Sequence, residues 1–183
     1  MLETFRARAE AVSAQVHRAA GRAEAVEVVL ALLEKEGVRP EPGRTAVWAQ
    51  GALLAGLDRA ALAARVPGLG FEVTRETAAA ARAGVTEVDW LVANTGTIAA
   101  AADAVAPRLA ASLPDVHVAV AAASRIVPDL GALFARLGPA QTRYLSLTTG
   151  PSRTADIERV LTIGVHGPAR LHVVVVDDAE GRA

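Results

Sequence analysis

Four short stretches carry residue types that hold small polar ligands. The first is TTGPSRTADIE, Thr148 to Glu158. An apolar run stops there on Gly150-Pro151, and Ser152, Arg153 and Thr154 follow, with Asp156 and Glu158 close behind. The pattern predicts a helix over 154–162. A glycine turn before a helix start leaves backbone N–H groups free, and the helix dipole favours an anion beside them. Arg153 would add a planar fork of donors for phosphate or carboxylate, and Ser152 or Thr154 a hydroxyl. The same residues also read as ordinary capping, a Ser or Thr N-cap with acids in the first turn. The two roles are compatible.

The second stretch is DWLVANTGTIA. A strand is expected to end at Asn94, and Thr95, Gly96 and Thr97 form a turn whose hydroxyls and backbone could hold a polar ligand. A plain turn is the alternative. The third is GVHGPARLH, where His166 stands between two glycines just before the final apolar run. A histidine there could orient a ligand or move a proton, or simply bond a nearby carbonyl. The fourth is SRIVPDL, where Pro128 is expected to open a helix and Arg125 could reach the edge that carries Arg153. His117, His166 and His172 lack the spacing of metal ligands, so no metal site is expected. There is no G-x-S-x-G, no P-loop and no G-x-G-x-x-G after a strand.

Composition narrows the classes. The absence of cysteine removes disulfides, thiolate nucleophiles and cysteine-ligated iron–sulfur clusters. Aromatic residues make up 3% and the formal net charge is −1, which argues against nucleic acid and against an anionic membrane surface. No apolar run reaches the roughly 18 to 20 residues that span a bilayer. The N-terminus MLETFRARAEAVSAQ has no apolar signal-peptide core, so a soluble cytoplasmic protein is expected.

These stretches need elements to position them. Leu2, Phe5, Ala9, Val12 and Val16 share one helical stripe over 2–19, and a second helix is expected over 23–36 with Gly37 as its stop. After the loop GVRPEPGR, short apolar runs alternate with helical segments. The expected strands are TAVWAQ, FEVT, DWLVAN, TIAAA, VHVAVAA, RYLSLTT and LHVVVVDD, with helices near 57–65, 76–82, 128–137 and 154–162. That alternation predicts an α/β fold with a mostly parallel sheet flanked by helices. DWLVAN and TIAAA, joined at Thr95-Gly96, predict an antiparallel hairpin within it. The expected organisation is an N-terminal helical extension over 1–38 and an α/β domain over 39–183.

Taken in order, TGTIA, then LPDVHVAV with RIVPDL, then TTGPSRTADIERVLTIGVHGPARLHVVVVDD resemble the LUD domain of the lactate utilization protein C family, over about residues 84–182. The resemblance implies a fold like that of the ribose-5-phosphate isomerase and CoA-transferase superfamily. It implies a subunit of a system oxidising L-lactate to pyruvate, beside iron–sulfur partner proteins that carry the clusters. The chain itself would hold no cofactor. The implied ligand is a small carboxylate or phosphate at Asn94, Thr95, Gly96, Thr97, Gly150, Ser152, Arg153, Thr154 and His166. The family usually carries a glutamate where this chain has Asn94, which removes carboxylate chemistry from that position. No residue is assigned a catalytic role. The alternatives are a stand-alone enzyme on a sugar phosphate or acyl-CoA, and a module that binds a small carboxylate without turnover.

Overall fold

Four consecutive valines, Val173 to Val176, are tolerated in one strand only if both of its faces are covered. In the computed structural model this is the case. Val174 packs with Val29, Leu30 and Leu33 on one side, and Val173 and Val175 pack with Phe5, Ala9 and Leu91 on the other. The structure describes residues 1–101, 103–137, 143–155, 161–163 and 167–177. The strands are β1 (Gln15–Ala19), β2 (Thr45–Trp48), β3 (Leu69–Gly70), β4 (Ala81–Glu87), β5 (Trp90–Val92), β6 (Thr97–Ala101), β7 (Val116–Ala122), β8 (Ile126–Val127), β9 (Leu145–Thr149), β10 (Arg153–Ala155), β11 (Leu161–Ile163) and β12 (Arg170–Val176). The helices are α1 (Leu2–Ala11), α2 (Arg22–Lys35), α3 (Arg59–Arg65), α4 (Arg75–Ala79), α5 (Val105–Ser112) and α6 (Leu130–Arg136).

The main sheet is parallel, in the order β1-β12-β7-β4-β2-β3. Helix α2 lies on one face with Trp48, Leu54 and Val66. The other face is covered by α4 and α5 over β2 and β4, and by α1 with a second sheet over β7 and β12. The second sheet has the order β8-β5-β6-β9 and contains the expected hairpin, with Leu91 opposite Ile98. The mostly parallel α/β architecture read from the alternation is therefore present, with one of its covering layers itself a sheet.

Three local expectations are corrected. The stripe over 2–19 does not continue as a helix. Val12 caps α1, Ser13 turns at φ 71, and residues 15–19 become β1, paired in parallel with β12. Val16 fits a helical stripe and an alternating strand equally well, so periodicity cannot separate the two. FEVT is not a strand, because its Thr74 forms a capping box with Thr77 and starts α4. Helix 76–82 is cut at Ala79, and β4 follows at once. ARAGVTE carries little β propensity, but as a central strand its residues are held by neighbours on both sides.

Gly84 explains why β4 can sit there. A Cβ on Gly84 would lie 1.8 Å from the Ala110 carbonyl oxygen, so the backbone of α5 rests directly on the strand. On the α2 side, buried Glu36 accepts from His172 Nε2 at 3.2 Å and pairs with Arg170 at 2.7 Å, which compensates a carboxylate otherwise costly to bury. Replacing Gly84 by alanine should destabilise the protein by about 1–3 kcal/mol through overpacking against backbone that cannot step aside. Gly21 is extended and has nothing within 4 Å of its would-be Cβ, so Gly21→Ala should stay within about 0.5 kcal/mol of wild type. Urea denaturation of the two variants checks this; equal midpoints would show that the α5 contact relaxes.

Candidate functional site

The hairpin turn and the Thr148-Thr149-Gly150 stretch meet because β6 and β9 are neighbours in register. Thr97 stands opposite Thr149. The hydroxyls of Thr95 and Thr97 are 2.7 Å apart and those of Thr97 and Thr149 2.8 Å apart. A chain of hydroxyls has one more proton than it has links, so one remains to donate outward. Thr97, in the middle, is buried, Thr95 is half-buried and Thr149 is exposed, so the chain reaches the surface at the Thr149 end. Gly96 and Gly150 hold the flanking turns at φ 67 and φ 72. A Cβ on Gly96 would lie 2.3 Å from the Ala9 nitrogen, and one on Gly150 2.4 Å from the Val12 carbonyl oxygen. Both turns are thus pressed onto the C-terminal part of α1 and the residue that caps it.

Two depressions flank β9. One, of about 470 Å³, is lined by Asn94, Thr95, Thr97 and Thr149 together with Arg8 and Val12. Arg8 is exposed and forms no ion pair among the described residues. The other, of about 430 Å³, is lined by Gly150, Ser152 and Arg153 together with Thr86, Arg108, His117 and Ser146. The ligand residues were expected on one edge; the structure places Asn94, Thr95 and Thr97 in one cleft and Gly150, Ser152 and Arg153 in another, the two sharing Leu147 and Thr149, while Gly96 lines neither.

The opening stretch is not a helix start. Arg153–Ala155 form β10, paired antiparallel with β11, so no helix begins at these residues to turn its dipole toward an anion. Residues 156–160 of the expected helix lie outside the described residues. Ser152 N–H, expected free, donates to the Pro168 carbonyl at 2.8 Å. Arg153 donates to the Val12 carbonyl at 3.0 Å and to Ser13 Oγ at 2.8 Å, which ties β10 to the end of α1. Thr154 lies within β10. His166 lies outside the described residues. Arg125 does not join Arg153: its guanidinium sits 4.8 Å from the centre of the Trp90 ring, with Arg136 at 5.1 Å. Pro128 precedes the helix rather than opening it, because Asp129 is the N-cap and accepts from Ala132 N–H. Among the described residues no group of acids and histidines is arranged for a metal, and no helix is long and apolar enough to cross a membrane.

Two residues that sequence reasoning passed over belong to these clefts. Arg8 sits on α1, far from the motifs in sequence, and only the docking of α1 brings it there. His117 is 3% exposed, and its Nε2 lies 2.8 Å from Thr86 Oγ1. Burial lowers its pKa from 6.5 to about 4, so the ring is neutral at physiological pH.

A model of the LUD domain family matches residues 2–176 of the chain. Similar proteins include lactate utilization protein C 1 of Bacillus mycoides (strain KBAB4), 35% identical over 107 residues, which are 55% of this chain and 46% of that protein. Lactate utilization protein C of Macrococcus caseolyticus (strain JCSC5402) is 35% identical over 109 residues, 56% of this chain and 47% of that protein. The aligned region thus spans about half the length of the curated relatives it matches. In fold, the chain is similar to the crystal structure of a DUF162 family protein from Deinococcus radiodurans. The TM-score is 0.61 and the identity 22%, covering 96% of this chain and 95% of that one.

The neutral His117 also sets a pH response. Its folded pKa lies below its unfolded value, so its contribution is fully present above about pH 6.5 and is lost as pH falls toward about 4. His17 and His172 are shifted downward too, chiefly by burial, and act in the same direction. The slope from His117 alone should approach about 1.4 kcal/mol per pH unit inside that window. Denaturation midpoints from pH 7 to pH 4 should therefore fall less steeply in His117→Gln than in wild type. Parallel curves would show that the histidine is not buried neutral.

Proposed function

The chain belongs to the LUD domain family, and from that footing we propose that it serves a lactate utilization system, as a cytoplasmic subunit in the oxidation of L-lactate to pyruvate. Relatives named lactate utilization protein C, at about one-third identity over half of the chain, support this reading. Oxidation at C2 of lactate releases electrons that need a carrier. This chain has no cysteine with which to ligate an iron–sulfur cluster. Iron–sulfur partner proteins would carry the electrons, and this chain would contribute binding and orientation of the acid.

The observation that carries the proposal is the hydroxyl chain Thr95–Thr97–Thr149 facing the same cleft as Arg8 and Asn94. A guanidinium supplies the charge-assisted fork that a carboxylate takes. The outward hydroxyl proton and the Asn94 amide suit a neighbouring hydroxyl or keto group. Asn94 acts here as a hydrogen-bonding group only.

Deletion of the gene should abolish growth on L-lactate as sole carbon source in a host with no other lactate dehydrogenase, and affinity purification should recover iron-containing partners. Normal growth of the deletion strain would overturn the proposal. Arg8→Ala should weaken L-lactate binding about tenfold, since it removes the charge-assisted contact while leaving a solvent-facing helix position intact. Calorimetry on wild type and variant reads this directly; unchanged affinity would remove the acid from that cleft.

A further inference from the structure

The second cleft is lined by a buried histidine whose second ring nitrogen has no partner among the described residues. His117 uses Nε2 for Thr86. Its Nδ1 makes no hydrogen bond among the described residues, and it is not among the polar atoms sealed from solvent. The ring lines the cavity of about 430 Å³, so Nδ1 keeps its surface there. A ring nitrogen that faces the cavity without a protein partner is satisfied by a solvent molecule or a ligand. At the exposed end of the same cavity, the Arg108 guanidinium lies 4.8 Å from the centre of the Tyr144 ring, which is 48% exposed. Arg108 has no ion pair among the described residues. Val88, Ile98 and Leu171 supply apolar wall between these ends.

We infer that this cavity is a second binding site, for an organic acid larger than lactate, with its carboxylate at Arg108 and a hydroxyl on its body at His117 Nδ1. The size argument comes from the wall: Val88, Ile98 and Leu171 line this cavity together with Arg108 and His117, and an apolar body that lactate lacks is what they would cover. The chemistry argument comes from His117. Because the ring is neutral, it recognises a hydrogen-bonding group rather than a charge. If Thr86 donates to Nε2, Nδ1 carries the proton and donates into the cavity; if Nε2 donates to Thr86, Nδ1 accepts. A hydroxyl satisfies either tautomer. The mixed wall of apolar side chains with Ser146 and Ser152 fits a ring or branched body bearing few polar groups. This site does not rest on the lactate reading: its anchors are Arg108 and His117, and Arg8, Thr95 and Thr97 take no part in it, although Thr149 lines both clefts.

Three probes test the inference on the full chain: L-lactate, 3-phenyllactate and 3-(4-hydroxyphenyl)lactate. Affinity is read by calorimetry and the His117 ring by its nitrogen NMR resonances. The hydroxyphenyl acid should bind at least tenfold more tightly than the phenyl acid and should move the Nδ1 resonance. L-lactate should leave that resonance unmoved. Arg108→Ala, a change at a half-buried helix position, should weaken both aromatic acids about tenfold. His117→Leu should erase the preference for the hydroxyl; if that variant fails to fold, the wild-type ring resonance and Arg108→Ala decide the matter. An Nδ1 resonance indifferent to all three probes, or aromatic acids bound no more tightly than L-lactate, would overturn the inference.

Discussion

How closely the second layer lies on the parallel sheet is set by glycine. Gly84 admits the α5 backbone onto β4, while Gly96 and Gly150 admit α1 onto the two turns of the smaller sheet. Each is a backbone-to-backbone approach, where a single methyl group would collide with atoms that have no rotamer to change. The rest follows from that closeness. Alanine suffices at Ala119 and Ala121 on the facing strand, and the aliphatic side chains of α1 can reach the sheet. The clefts open where this packing gives way to polar side chains, at Thr86 and His117 on one side of β9 and at Thr95 and Thr97 on the other.

Much of this architecture was legible in the sequence because it rests on local signals. The hairpin of β5 and β6 announces itself by a Thr-Gly turn between apolar runs, and β7, β9 and β12 by their β-branched content. What was not legible rests on neighbours. Ala81–Glu87 has the composition of a helix end and becomes a strand because β2 and β7 hydrogen-bond to it from both sides. Residues 15–19 become a strand because β12 offers them an edge. The helix expected after Arg153 failed for a related reason. Ser-Arg-Thr followed by acids fits capping well, but Arg153 finds acceptors at the end of α1, and Arg153–Ala155 pair with Leu161–Ile163.

The candidate site divides along the same line. Thr95 and Thr97 could be picked out from their motif, whereas Thr149 acquires its part only from the register that sets it opposite Thr97. Arg8 depends on the docking of a helix, and His117 on the lateral pairing of β4 with β7, which places it beside a threonine distant in sequence. A motif reports residues close along the chain. Polar clefts at the junction of two layers are assembled from residues that are not.

Strand β1 has one further consequence. Its neighbour in the sheet is β12, so Val16 is paired with Val173 and Ala19 with Val176. During synthesis at roughly 5–20 residues per second, the first strand waits on the order of ten to thirty seconds before its partner leaves the ribosome. Until then α1 lacks the Val173 and Val175 side chains it packs beside, and α2 lacks Val174. The order of translation thus makes β12 the strand that closes the sheet, inserted between the early strand β1 and the later strand β7. Long-range closure of this kind folds slowly and leaves apolar faces uncovered meanwhile. The nascent chain is therefore exposed to aggregation until residue 176 is free.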